Sequence, residues 1–271
     1  MTMPVIADTA PERSSEAQRL IDSAADVPFE ELVTLSALEL CVLGAPRQAL
    51  FEEPVASAWT GLDKRRRGRL IEETTAAMVA RRLLAPDPRQ PADDIYVVQP
   101  ALGIVLAARS RPAWIVLTET ARPDLRTPRL FAFGDVAEPV RGVVVEEPAA
   151  LPAAVASGPA ARKLGPLARL YRYVLVSQDR AAQVLAEWAI APPPAPPATG
   201  PAAGPPPARA VALYHPANRD GEVGARVSVR GDGSTASVAA DPALAPDPAR
   251  SYDQAALAQV MLGLLAVGQP R

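Results

Sequence analysis

The chain has 271 residues, and 28 Lys and Arg stand against 30 Asp and Glu for a net charge of −2. That length can bury a sizeable core, in one large domain or two small ones. The near-neutral balance excludes a surface built throughout for nucleic acid, though not a local basic patch. One Cys excludes an internal disulfide framework and a multi-cysteine zinc site, and one His excludes any site needing two imidazoles.

Aromatic residues are only 4% of the chain, so Ala, Leu and Val must do most of the packing. No apolar run reaches the roughly 18 residues of a membrane span. Residues 1–26 are polar and of mixed charge, with no signal-peptide core. The expected location is the cytoplasm.

Residues 1–26 lack periodicity and read as a disordered tail with at most one short helix. A helical block follows. Ser36 and Glu39 have the spacing of a capping box, just before Leu40, Val42 and Leu43, and Gly44 and Pro46 stop that helix. Asp63 is placed to cap the next. Leu70, Ile71, Thr74, Ala77, Met78 and Leu84 form its apolar stripe, and Pro86 and Pro88 end it. A third helix is expected from near Pro100, with Leu102, Val105, Leu106 and Ala107 inside.

The pattern then changes to short β-type runs at Ala113–Thr118, Leu130–Phe133 and Gly142–Val145, with Gly134-Asp135 as a turn. Ala149–Ala156 reads as a weak helix. Tyr171–Val176 is a strand, and Ser177 caps a helix carrying Ala181, Val184, Leu185 and Trp188. Residues 191–207 hold nine prolines and no charge, which makes them an extended linker or loop.

Beyond it, Arg209–Tyr214, Ala225–Arg230 and Thr235–Ala239 are strands. Arg226, Ser228 and Arg230 alternate with Val227 and Val229, the pattern of a half-buried strand. Gly231-Asp232-Gly233 is the hairpin turn. Ser251 and Gln254 are spaced as a capping box, Leu257, Val260, Met261, Leu264 and Leu265 form a helical stripe, and Gly268 ends it.

The fold class is therefore α+β, with an N-terminal helical block and an antiparallel sheet with flanking helices. The order strand, hairpin strand, strand, helix occurs in the middle and again at the end. It reflects either duplicated sheet-plus-helix halves or the commonest α+β grammar. The parts read as a tail (1–26), an N-terminal α+β part (27–190), a Pro-rich linker or loop (191–207) and a C-terminal strand-hairpin-helix part (208–271) sharing the sheet.

Few residues suggest chemistry. His215 has the right reference pKa for a general base, but His215-Pro216 leads into a turn with Asn218, Asp220 and Gly221, where an exposed turn histidine is expected. Cys41 sits between Leu40 and Val42 and reads as a small core residue, not a reactive thiol. Residues 231–236 match the written form G-x-G-x-x-A. The pyrophosphate mechanism needs a helix N-terminus there, whereas a β-type run follows and then Asp241-Pro242 and Pro246. No P-loop pattern occurs. The pairs Asp93-Asp94 and Glu146-Glu147 are adjacent, so on a strand they point to opposite faces, and they read as surface charges.

Lys64, Arg65, Arg66, Arg67 and Arg69 form the densest charge run. Cations at a helix start oppose the macrodipole, so the helix does not gain from them. Glu72 and Glu73 partly offset them. They read as a solvated or protein-partner patch, or as phosphate contacts if residues 34–98 form a winged helix of helix, helix and short wing. Trp59, in the loop before this helix, is the aromatic expected to be exposed, and aromatics beside Arg are favoured in protein interfaces.

The stretch Leu35-Ser36-Ala37-Leu38-Glu39-Leu40-Cys41-Val42-Leu43 resembles the opening helix of EspG-type proteins, cytosolic chaperones of type VII (ESX) secretion. So does Met78-Val79-Ala80-Arg81-Arg82-Leu83-Leu84, which leads through an acidic, Pro-rich turn to Pro100-Ala101-Leu102. The similarity extends over most of residues 30–267 in length and element order. The Pro-rich 191–207 stretch and the basic cluster are departures. The resemblance implies a central antiparallel sheet with helical parts, which binds hydrophobic secretion substrates and keeps them soluble.

Three functions follow as expectations. The first is a non-enzymatic chaperone or adaptor whose partner is another protein, with no cofactor and with Trp59, Lys64, Arg65, Arg66, Arg67 and Arg69 as candidate partner-binding residues. The second is a DNA-binding regulator using the 34–98 region. The third is an enzyme with a site between the two sheet segments.

Overall fold

The computed structural model describes residues 4–6, 11–44, 52–90, 95–120, 127–133, 140–150, 163–191, 209–214, 223–240 and 250–267. The chain opens with strand β1 (Val5–Ile6) and helix α1 (Ser15–Asp26). The expected tail is thus helical over twelve residues. Ala17, Ile21 and Ala24 recur at helical spacing and are buried, and Ser14 Oγ accepts the Ala17 N–H at 3.1 Å.

Strand β2 (Glu30–Ser36) buries Leu32, Val33 and Leu35. Ser36 then caps α2 (Ala37–Val42): the Glu39 N–H donates to Ser36 Oγ at 3.1 Å, and the Ser36 N–H donates to Glu39 Oε2 at 2.7 Å. Every residue of α2 is buried, and Gly44 ends the turn at φ +89°, a conformation that costs a glycine little. Helix α3 (Glu53–Thr60) has Pro54 in its first turn and buries only Val55 and Trp59.

Asp63 caps α4 (Lys64–Ala80), accepting the Arg66 N–H at 2.8 Å. The buried side of α4 is Gly68, Ile71, Thr74, Thr75 and Met78. The expected stripe is corrected at two places: Ala77 is exposed, and Leu84 belongs to a strand. The helix ends before its prolines, because Arg82 turns the chain at φ +60°. Strand β3 (Leu84–Pro86) then pairs antiparallel with β4 (Ile95–Val98), and β1 pairs parallel with β4. Pro86 is tolerated because β3 is an edge strand of this three-stranded sheet, of order β1-β4-β3. Helix α5 (Pro100–Ser110) buries Leu102, Ile104, Val105 and Ala108.

Strands β5 (Ile115–Thr120), β6 (Arg129–Phe133), β7 (Gly142–Ala149) and β8 (Leu170–Val176) follow. Ala149 ends β7, not starting a helix. Ser177 caps α6 (Gln178–Ile190), accepting the Arg180 N–H at 3.2 Å. Then come β9 (Arg209–Tyr214), β10 (Val223–Gly231), β11 (Ala236–Ala240) and α7 (Gln254–Val267). At α7 the cap is Asp253, whose Oδ1 accepts the Ala256 N–H at 2.8 Å, and not Ser251.

The fold is α+β, with a large antiparallel sheet of order β11-β10-β9-β5-β6-β7-β8-β2. Strand β5 pairs with β9 from Ile115↔Tyr214 to Thr120↔Arg209, so the middle and C-terminal strands share one sheet. The chain forms two compact units: Met1–Ser23, Glu30–Ser110 and Glu146–Val174 in the first, and Ala24–Phe29, Arg111–Val145 and Leu175–Arg271 in the second. In the first, α2 packs on α4 and α5 on β2, with Leu35, Leu40, Met78, Leu84 and Leu102 fully buried. In the second, α6 packs on α7 and both meet β10. Trp114, Phe131, Leu185, Leu264 and Leu265 are buried there. Each such side chain stabilises its unit by about 1.5–3 kcal/mol.

Among the described residues, no helix is long and apolar enough to cross a membrane. Pro46, Asp93-Asp94, the Gly134-Asp135 turn, residues 151–156 and 192–207, His215, Asn218, Asp220, Gly221, Asp241-Pro242, Pro246 and Gly268 lie outside the described residues.

Candidate functional site

The five cations at the start of α4 divide into two groups. Arg67 is turned inward. Its Nη2 donates to the carbonyls of Trp59 (3.2 Å), Thr60 (2.9 Å) and Leu62 (3.0 Å), and its guanidinium carbon lies 5.6 Å from the Trp59 ring centre. These carbonyls end α3 and form the turn before α4, so Arg67 closes that helix and fixes the angle of the next. Trp59 is therefore not the exposed aromatic expected from the sequence. It lies on α3 and is only 6% exposed, packed beneath Arg67.

Arg66 is exposed and donates to the Lys163 carbonyl at 3.1 Å. The side chains of Lys64, Arg65 and Arg69 are exposed and make no hydrogen bond or ion pair with any described residue. Arg65 and Arg69 are four residues apart, on one side of α4. Glu72 and Glu73, one turn further on, are also exposed. The charges thus separate along the helix, cations first and anions next. The cationic end sits on a helix anchored by Ile71, Thr74, Thr75 and Met78, so its side chains project from a fixed base. Such a cluster attracts carboxylates or phosphates.

The other ionic groups serve the interior or its rim. Glu146 is not a surface charge: it is 1% exposed and forms an ion pair with the buried Arg109, and the Tyr173 hydroxyl donates to its Oε2 at 2.6 Å. Its neighbour Glu147 pairs instead with the half-exposed Arg172, as strand alternation requires. Arg81 joins the Glu39 carboxylate and donates to the Thr34 carbonyl at 2.8 Å, tying α4 to the end of β2. Arg89 holds the Asp87 carboxyl below its ordinary range through paired hydrogen bonds. Burial pushes the Cys41 thiol up to about 12, which keeps it protonated and unreactive at neutral pH.

The glycine pattern at residues 231–236 has a packing explanation. A Cβ on Gly231 would lie 2.8 Å from Ile190 Cα and O, so the end of β10 passes directly against the end of α6. In the turn, Asp232 Oδ1 accepts the N–H groups of Ser234 and Thr235, each at 2.8 Å, and these bonds hold its carboxyl far below the usual range. A strand follows, so no helix N-terminus faces the turn. Among the described residues, no group of three or more His, Cys, Asp or Glu side chains is placed to hold a metal ion.

Comparison with protein-family models finds no match, and comparison with curated proteins finds none either.

Proposed function

We propose that this chain is a non-enzymatic protein-binding adaptor or chaperone that acts in the cytoplasm, of the EspG type that attends type VII secretion. The observation that carries the reading is the cationic end of α4. Lys64, Arg65 and Arg69 are exposed and unpaired among the described residues, on a helix fixed by Arg67 and Trp59. A helix gains nothing from cations at its N-terminus, so a partner with acidic groups accounts for them better than stability does. The sequence resemblance at residues 35–43 and 78–102 supports the secretion assignment.

A second reading rests on element order. Helix α3, the short Gly61-Leu62-Asp63 turn and α4 are followed by the antiparallel pair β3 and β4, which is the order of a helix-turn-helix with a wing. The chain would then be a DNA-binding regulator with Lys64, Arg65 and Arg69 on phosphates.

One experiment separates them. The purified chain and its Lys64→Glu/Arg65→Glu/Arg69→Glu variant are tested against duplex DNA over a salt series, and against a secretion substrate coexpressed from a neighbouring gene. The adaptor reading predicts soluble substrate with the wild type, less with the variant, and no salt-steep DNA binding. Steep, variant-sensitive DNA binding with no substrate effect supports the regulator instead.

A further inference from the structure

Helix α4 carries a charge-ordered outer face. Its inner side, with Ile71, Thr74, Thr75 and Met78, packs on α2 and β3. At about 3.6 residues per turn, Arg65, Arg69, Glu72, Glu73, Ala76 and Ala80 fall within about 100° of one another around the helix, on the opposite side. Each of these residues is exposed. The face runs for about 22 Å. Along it come two cations, two anions and then only alanine.

The side chains of Arg65, Arg69, Glu72 and Glu73 make no hydrogen bond or ion pair with any described residue. Arg69 and Glu73 are four residues apart, yet they do not pair. Arg ahead of Glu is the poorer order, since it sets both charges against the helix dipole. The helix therefore leaves these charges to be matched from outside. A face that is cationic first and anionic next is complementary to its own reverse. Two copies of α4, antiparallel about a two-fold axis at the level of Leu70 and Ile71, would set Arg69 of each against Glu72 and Glu73 of the other. Arg65 would lie over the small Ala76, one turn from the same carboxylates. Parallel pairing would set like charges together.

We infer that the outer face of α4 binds a second copy of this chain, in a reversible antiparallel dimer that occupies the cationic end until the acidic partner takes it. This rests on the protein-binding reading and adds a regulation of the same surface. A wholly acidic segment matches Arg65 and Arg69 but sets its own charges beside Glu72 and Glu73. A second copy matches both signs in order. The face is narrow and its exposed residues include no large apolar side chain, so the dimer is held by charge, weak and sensitive to salt.

The test is sedimentation equilibrium of the full chain from about 1 to 300 μM. Wild type should form a dimer whose dissociation constant rises at least about tenfold between about 50 mM and 500 mM salt. Arg65→Glu/Arg69→Glu makes the face wholly acidic, and Glu72→Arg/Glu73→Arg makes it wholly basic. Each should be monomeric alone. An equimolar mixture of the two should form a one-to-one dimer, which also shows that both variants are folded. The coexpressed substrate should dissociate the wild-type dimer. A wild type that is monomeric at about 300 μM in low salt overturns the inference. So does a dimer that both variants retain, a mixture that stays monomeric, or a substrate that binds and leaves the dimer intact. A monomeric wild type that keeps its substrate soluble better than Lys64→Glu/Arg65→Glu/Arg69→Glu sinks the dimer and leaves the adaptor standing. A charge-dependent dimer with no effect of that variant on the substrate does the reverse.

Discussion

The Arg67 guanidinium lies over the Trp59 ring, 5.6 Å from its centre, and the same guanidinium holds three carbonyls at the end of α3. One cation of the basic run is thereby folded, half-buried, against the corner from which the others project. Neighbouring residues thus differ: the Arg67 side chain bonds within the fold, while those of Lys64, Arg65 and Arg69 have no bonded partner among the described residues.

Arg67→Ala removes hydrogen bonds from a charged donor and uncovers a buried indole. Bonds of this kind contribute about 1.5–3 kcal/mol. Urea unfolding of Arg67→Ala should show a loss in that range. The exposed Arg65 side chain has no hydrogen bond or ion pair among the described residues, so Arg65→Ala should unfold within about 0.5 kcal/mol of wild type. Equal losses would remove the distinction between the two residues.

Arg109 and Glu146 are both almost fully buried. Removing one member of such a pair leaves an uncompensated charge in the interior, at a cost of about 3–5 kcal/mol. Arg109→Met should be destabilised by that amount. Arg109→Met combined with Glu146→Leu should recover much of it, because no charge is then stranded. A double-mutant cycle by urea unfolding measures this, and additive losses would contradict it.

The Cys41 thiol is raised by burial from 9.0 to about 12. The neutral form is the one the fold favours, so this contribution is complete below about pH 9, where the unfolded thiol begins to ionise. It is lost as pH rises through the folded value. Wild type should therefore lose more stability between about pH 8 and pH 10.5 than Cys41→Ala does, as read by urea midpoints. Native protein at neutral pH should also resist alkylation that goes quickly in urea.

Ser36→Ala breaks the reciprocal cap of α2 and should cost about 1 kcal/mol. The loss should rise when Glu39→Gln is added, because Arg81 then faces no carboxylate. Thermal unfolding of the single and double variants checks both steps.

Much of this fold was legible in the residues. Ser36, Asp63 and Ser177 announced their helices because a cap is local chemistry within one turn. Strands β5 to β11 were expected near their places, β8 from its run of Tyr, Val and Leu and β10 from the alternation of Arg226, Ser228 and Arg230 with Val227 and Val229. Helix α3 was not legible, because its buried side is only Val55 and Trp59, too few to show a period. That gap misplaced Trp59 as an exposed loop residue. Strand β2 was hidden by Glu30-Glu31 and by a neighbouring helix signal. Glu146 looked like its half-buried neighbour Glu147, since only tertiary packing brings Arg109 and Tyr173 to one of them.

The central claim is that this chain works by presenting a surface to another protein. The most direct measurement is the composition of the complex isolated from its native cell, for wild type and for the Lys64→Glu/Arg65→Glu/Arg69→Glu variant. The account predicts one protein in stoichiometric amount with the wild type, reduced with the variant, and no nucleic acid. A wild-type chain isolated with nucleic acid, or with no macromolecule, would contradict it.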